Sequence, residues 1–305
     1  MRNRQQQKIA VVGGGLMGHG IAYVFAAAGY PVGIFEPVAA VRDSIASRLR
    51  SILDLLDGEA AALERIAIHD ALAGAVTGAV LVIEAAPEKL DLKRRIFAEI
   101  EPLVSPDTIL ASNSSALRST DIGRDLGRRE RMIGTHFWNP PHLVPLVEVI
   151  ETEFTSAATV AATMQLIRDA GKKPVHVRRD IAGFIGNRLQ HALKREAIAL
   201  LASGVADAAT IDAVVKDGFG ARLAVLGPLE QSDLVGLDLT LDIHESLIAD
   251  LDRTPGPHPL LRQKVAEGKL GMRTGEGFRS WTADEAKTVR ERLSRYLASL
   301  AKPPS

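Results

Sequence analysis

The chain has 305 residues, enough for one large or two ordinary domains, and its 37 Lys and Arg balance 37 Asp and Glu. That balance gives no electrostatic case for nucleic acid or an anionic membrane as partner, and the absence of cysteine excludes disulfides, thiol nucleophiles and cysteine-ligated metals. With no convincing targeting segment and no uninterrupted apolar run of membrane-spanning length, the chain is expected in the cytoplasm.

Residues 1–7 read as a disordered tip, and residues 8–36, KIAVVGGGLMGHGIAYVFAAAGYPVGIFE, as strand, glycine turn, helix and second strand. Gly13, Gly15 and Gly18 have the spacing G-x-G-x-x-G. The first glycine permits the tight turn, the second lets backbone approach a pyrophosphate, and the third lets helix and strand pack closely. Gly13, Gly15, Leu16, Met17 and Gly18 are therefore candidate cofactor positions at a helix N-terminus, where free N–H groups favour phosphate. Glu36 follows Gly18 by eighteen residues, where a carboxylate accepts from the adenosine ribose hydroxyls and repels a 2′-phosphate. A glycine triplet alone also fits an ordinary turn. The strand before it, the helix after it and the acid beyond it point to NAD.

Further strands are expected at 80–84, 108–111, 131–136, 144–150 and 174–177, alternating with helices at 38–56, 90–103, 119–126 and 156–170. Such alternation predicts an α/β Rossmann-type doubly wound sheet, mainly parallel, with the direction of its last strands left open. From residue 184 the pattern is helical, at 184–203, 208–216, 228–250, 259–267 and 283–300. The expected organisation is an NAD-binding domain at 1–182 and an all-helical C-terminal domain at 183–305 for substrate and dimerisation. The apolar faces of the helical half fit either core packing or contact with a second subunit.

The acid–base candidates lie in residues 134–150, GTHFWNPPHLVPLVEVI. His136 ends one apolar strand and Glu148 lies twelve residues later in another, with Asn139-Pro140-Pro141 able to turn the chain back between them. A histidine held by a glutamate is a general base with a fixed ring orientation. Taken alone, His136 also fits a satisfied strand-end histidine, and Glu148 a solvated strand residue. Asn113, Ser114 and Ser115 are short hydrogen-bonding side chains after a strand C-terminus, where doubly wound proteins bind ligands, although plain turn chemistry explains them equally. Asn187 opens the first helix of the second half. The other histidines form no metal-binding spacing, so no metal site is expected.

Several long segments together carry a resemblance. VVGGGLMGHGIA, VIEAAPEKLDLKRRIF, ASNSSAL, HFWNPPHLVPLVEVI, GFIGNRLQHALKREA, GPLEQSDLVGLD and RTGEGF, in that order, resemble the L-3-hydroxyacyl-CoA dehydrogenase family across nearly the whole chain. The resemblance implies oxidation of a 3-hydroxyacyl-CoA by NAD, a place in fatty acid metabolism, and a homodimer formed through the helical domain. It also implies a catalytic set of Ser115, His136, Glu148 and Asn187, with His136 taking the proton of the 3-hydroxyl. By the same resemblance Glu36, Glu88, Lys93, Asn113 and Asn139 fall on cofactor-contact positions, and Arg273 stands where a lysine is usual.

One region departs from the family. CoA-binding members carry a lysine-rich helical arm after the second strand, whereas no lysine occurs here between Lys8 and Lys89. The arm offers Arg42, Arg48, Arg50 and Arg65 among Asp43, Asp54, Asp57, Glu59 and Glu64. Relatives acting on small free hydroxy acids, such as L-gulonate 3-dehydrogenase, share the other segments, and a lens crystallin shares the fold. A free hydroxy acid is thus the alternative to a CoA thioester, and retention of His136 and Glu148 argues against a non-catalytic NAD-binding protein.

Overall fold

The computed structural model describes residues 4–301. Its first compact unit holds residues up to Asn187 together with those from Leu293 onward, and the second is Arg188–Arg292. A cut at 182/183 differs from this division by five residues, and by the last turns of the C-terminal helix, which group with the first unit. At the N-terminus Arg4–Gln6 form a short 3₁₀ turn rather than a loose tip, and residues 1–3 lie outside the described residues.

The first unit is built on an eight-stranded sheet: β1 (Lys8–Val12), β2 (Val32–Phe35), β3 (Ile66–His69), β4 (Ala79–Glu84), β5 (Ile109–Ser112), β6 (Met132–Phe137), β7 (Leu146–Glu151) and β8 (Lys173–Val177). Spatial order is β3-β2-β1-β4-β5-β6-β7-β8. The first six run parallel, β7 is antiparallel to β6, and β8 is parallel to β7. The winding reverses between β1 and β4, which opens the ligand crevice of doubly wound sheets at the C-terminal strand ends.

Strand periodicity divides the core between the two sheet faces. Ile9, Val11, Leu81, Ile83 and Ile133 pack with α1 (Gly18–Ala27) and α2 (Ala39–Leu56) on one face. Ala10, Val12, Val82, Leu110 and Met132 face the other way, toward α4 (Leu72–Val76), α5 (Leu90–Ile100) and α6 (Ser119–Ile122). Between α2 and β3 lies one turn of helix, α3 (Ala61–Glu64), with Ala62 buried. α7 (Ala157–Asp169) is capped by Ser156, whose side chain accepts from the Thr159 N–H.

Three expectations are corrected. The helix expected over 119–126 stops at Ile122, because Gly123 takes the cap. The segment between α2 and β4 contains β3 and α4, both absent from the sequence reading. The helix expected over 228–250 is two, α10 (Pro228–Val235) and α11 (Leu237–Leu247), broken at Gly236 with φ +101°.

The second unit is helical. It contains most of α8 (Gly186–Ala202), α9 (Ala208–Ala213), α10, α11, α12 (Pro259–Ala266) and the start of α13 (Ala283–Ala301). Among the described residues no helix is long and apolar enough to cross a membrane.

Candidate active site

The glycine turn has the geometry its spacing requires. Gly13 has φ +102°, and a Cβ there would lie 2.9 Å from the Ala85 carbonyl oxygen after β4, so glycine is needed at the mouth of the crevice. A Cβ at Gly18 would overlap the Gly13 carbonyl oxygen. A Cβ at Gly15 would meet nothing within 4 Å, so the open side of the turn is at the N-terminus of α1, where phosphate is favoured. Leu16 is 68% exposed beside it, and Met17 caps α1. Glu36 is buried, its Oε2 accepting from the Gly14 N–H at 2.8 Å and its Oε1 from the Val38 N–H at 2.9 Å. The acid at the end of β2 thus also fixes the turn. These features fit a dinucleotide.

The antiparallel register of β6 and β7 places His136 opposite Glu148. His136 Nδ1 lies 2.7 Å from Glu148 Oε2, with the two residues 4% and 1% exposed. Glu148 Oε1 accepts from the N–H groups of Ile185 and Gly186, each at 3.0 Å, where α8 begins. Burial works to raise the Glu148 pKa, but the bonds from His136, Gly186 and Ile185 outweigh it and hold the carboxyl below its ordinary value. An ionised Glu148 only accepts, so in the neutral imidazole the hydrogen sits on Nδ1 and the lone pair on Nε2.

The loop after β5 carries Ser115 and is organised from below. Glu88 Oε1 accepts from the Ser114 hydroxyl at 2.5 Å and from the N–H groups of Ser115, Ala116 and Leu117 at 2.9–3.2 Å. Burial works to raise the Glu88 pKa, yet these donors and the Lys93 charge leave it lowered. Lys93, 1% exposed, donates to Glu84 at 2.7 and 3.0 Å and to the Ala86 carbonyl at 3.1 Å, with Glu88 at 3.4 Å. Ser112 donates to Glu84 at 2.6 Å. Asn113 Oδ1 accepts from the Phe137 N–H at 2.9 Å and so ties the loop to the end of β6.

Ser115 is exposed at the loop tip, and Asn187 Nδ2 donates to its carbonyl oxygen at 2.9 Å. The four residues of the expected catalytic set are thus connected in two pairs, His136 with Glu148 and Ser115 with Asn187. Asn139 is exposed in the turn after β6. Arg273 is exposed in the second unit, in a tight segment closed by bridges of Glu276 with Gly271 and Ser280. Glu84, Trp138 and Phe184 were missed by sequence reasoning. An acid ending a buried strand, as Glu84 does, was the one available signal.

A doubly wound sheet with a dinucleotide turn and a carboxylate-held histidine at the C-terminal end of one of its strands defines an NAD-dependent dehydrogenase acting on a CH–OH group. The "3-hydroxyacyl-CoA dehydrogenase, NAD binding domain" matches residues 8–181, and the "3-hydroxyacyl-CoA dehydrogenase, C-terminal domain" matches residues 183–281. The chain belongs to the 3-hydroxyacyl-CoA dehydrogenase family.

It is 35% identical over 299 residues to 5-formyl-3-hydroxy-2-methylpyridine 4-carboxylate 5-dehydrogenase of Mesorhizobium japonicum, covering 96% of this chain and 97% of that one. A crystal structure of an enzyme with this activity, described as an NAD⁺-dependent dismutase, superposes with a TM-score of 0.91 at 35% identity, over 96% of this chain and 97% of that chain. L-carnitine dehydrogenase of Streptomyces coelicolor is 37% identical over 75% of this chain and 74% of its own. The crystal structure of (S)-3-hydroxybutyryl-CoA dehydrogenase from Ralstonia eutropha has a TM-score of 0.76 at 34% identity, covering 90% of this chain and 99% of that chain.

Proposed function

We propose that this dehydrogenase oxidises the alcohol carbon of a small, carboxylate-bearing substrate, with His136 as general base and Glu148 as its orienting carboxylate. The observation carrying the chemistry is the buried dyad, whose Nδ1 is committed to Glu148 and whose Nε2 is left to accept a proton. NAD, when bound, supplies the hydride acceptor. As the hydride leaves the alcohol carbon, Nε2 takes the hydroxyl proton, and Glu148 stabilises the imidazolium that forms. Ser115 and Asn187 align the reacting carbon. The glycine turn, Leu16, Met17 and Glu36 hold the dinucleotide, with Asn139 as a further contact. Glu88, Lys93 and Asn113 support it by shaping the loop that carries Ser115.

The arm supports this substrate class. Ile45, Leu49, Ile52 and Ala62 bury the apolar face of α2 and α3 in the core of the first unit. Arg42 donates to the Glu36 carbonyl at 2.9 Å and Arg65 to the Ala26 carbonyl at 3.2 Å, which commits two of the four arginines to backbone. Arg48 and Arg50 remain among Asp43, Asp54, Asp57, Glu59 and Glu64, a poor setting for the phosphates of CoA. Two of the relatives are named for substrates without CoA. The second reading, a 3-hydroxyacyl-CoA dehydrogenase, is supported by the family match and by the Ralstonia relative.

A panel of free hydroxy acids (3-hydroxybutyrate, L-gulonate, L-carnitine) and L-3-hydroxybutyryl-CoA, followed by NADH formation, separates the two. Turnover of the free acids with kcat/KM above that of the thioester is expected, and the reverse order overturns the substrate assignment.

The helical unit is proposed to form a homodimer. Leu229, Leu234, Leu237, Leu241 and Ile243 of α10 and α11 are exposed, and a second copy of the helical unit would cover them. Light scattering at twice the chain mass is the expected result. A cytoplasmic location is proposed from the cysteine-free composition.

A further inference from the structure

Phe184, the second residue before α8, touches the dyad in an unusual backbone state. Its φ is +51°, the left-handed region that bulky side chains rarely enter, and it is fully buried against Ile150 and Val177. A bulky residue persists there only where its surroundings over-determine it, and such positions gather at functional sites. The Phe184 ring centroid lies 5.5 Å from that of His136 at a 53° tilt. A second ring, Trp138, lies 5.2 Å from His136 at 51°. The next two residues, Ile185 and Gly186, give their N–H groups to Glu148 Oε1. Gly186 also seats the indole, because a Cβ there would overlap Trp138 Cζ2. One three-residue segment therefore meets His136 through a ring, Glu148 through two amides, and Trp138 through a missing Cβ.

We propose that Phe184 is a positioning residue for the alcohol oxidation: with Trp138 it confines the His136 imidazole so that Nε2 stays aimed at the reacting hydroxyl. The bond to Glu148 orients the ring through Nδ1 but leaves it some freedom to tilt about that bond. Two aromatic rings at about 5 Å remove that freedom. Proton transfer needs the heavy atoms at hydrogen-bond distance and aligned, so loss of confinement is felt in kcat rather than in binding. The left-handed backbone matters because it turns the ring toward His136 while keeping the following amides on Glu148. This inference rests on His136 being the base.

The test uses the full-length enzyme with NAD and the best substrate of the panel. Phe184→Leu is expected to lower kcat about 10-fold or more, with substrate KM and NAD Kd within about twofold. Phe184→Tyr, which keeps a ring, is expected to retain several-fold more activity than the leucine variant. Phe184→Gly relieves the backbone but removes the ring, and should fall as far as leucine. Long-range ¹H–¹⁵N spectra of the His136 ring should show one Nδ1–H tautomer in the wild type and a mixed or broadened signal in Phe184→Leu. A folded Phe184→Leu with unchanged kcat, or with lowered kcat and an unchanged ring spectrum, overturns the proposal. Should Phe184→Leu not fold, Trp138→Leu carries the same two expectations and the same refutation. His136→Gln in the same assay separates the two levels: if it keeps kcat, the base assignment itself falls, and if it alone loses kcat, only the role of Phe184 falls.

Discussion

Glu148 joins two parts of the chain that meet nowhere else in sequence: one oxygen holds His136 Nδ1 at 2.7 Å, and the other holds the amides that open α8 at 3.0 Å. The carboxylate is kept ionised by those same donors against a burial that favours protonation. Glu148→Gln retains size and loses charge, and its amide N–H can donate to Nδ1, which moves the histidine proton to Nε2. The expected result is a fall in kcat of about 100-fold or more, on the scale of general-base loss, with NAD affinity retained. Stopped-flow NADH formation with a parallel NAD titration measures both. A variant within threefold of wild type would remove Glu148 from the orienting role.

Glu36 is expected to govern cofactor choice twice over. Its carboxylate stands at the end of β2 where a 2′-phosphate would be repelled, and it also fixes the Gly14 and Val38 amides. Glu36→Ala should weaken NAD binding and narrow the preference for NAD over NADP. Binding titrations with both dinucleotides check this, and an unchanged ratio of the two Kd values would refute the discrimination.

Much of this was legible in residues. The glycine spacing foretold a turn whose first and third glycines are sterically required, and Asn139-Pro140-Pro141 foretold the return that pairs His136 with Glu148. β3 was not legible because it is an edge strand with Ala67 and Ile68 exposed, so its burial pattern lacks the alternation that marks a half-buried strand. The break at Gly236 was hidden by apolar periodicity that runs on through it, and only a positive φ separates α10 from α11. The family resemblance placed Glu88 on the cofactor. The fold aims its carboxylate at amides 27–29 residues away, a relation that no local pattern carries.

His142 gives a pH dependence. Its ring lies beside Gly20, its Nδ1 is buried with no hydrogen-bond partner, and burial, then His19, then Lys172 lower its pKa from 6.5 to about 4. The unfolded chain takes up that proton near the ordinary histidine value while the folded chain does not until about pH 4. Stability is therefore lost as pH falls through this window. His142→Leu removes both the titration and the unpartnered nitrogen. Its Tm is expected to drop less than that of wild type between pH 7 and pH 4.5, measured at constant ionic strength. Parallel curves would show that His142 is not a source of acid sensitivity.

Lys93 should be the least replaceable charge in the first unit. It is 1% exposed, paired with a fully buried Glu84, and in reach of Glu88, which gathers the loop carrying Ser115. Lys93→Met fills similar volume but leaves two carboxylates without their cation, and breaking a buried pair from one side costs about 3–5 kcal/mol. The double change Lys93→Met with Glu84→Gln should recover part of that loss, because only one carboxylate then stays uncompensated. Denaturant unfolding of Lys93→Met, Glu84→Gln and the double variant measures the coupling. Glu88→Gln, by contrast, keeps an acceptor for the amides of residues 115–117 and should leave stability near wild type while lowering kcat through a looser loop. Equal stability losses in Lys93→Met and Glu88→Gln would mean that the ion pair and the loop are one structural unit, and the separate assignment of Glu88 to the loop would fail.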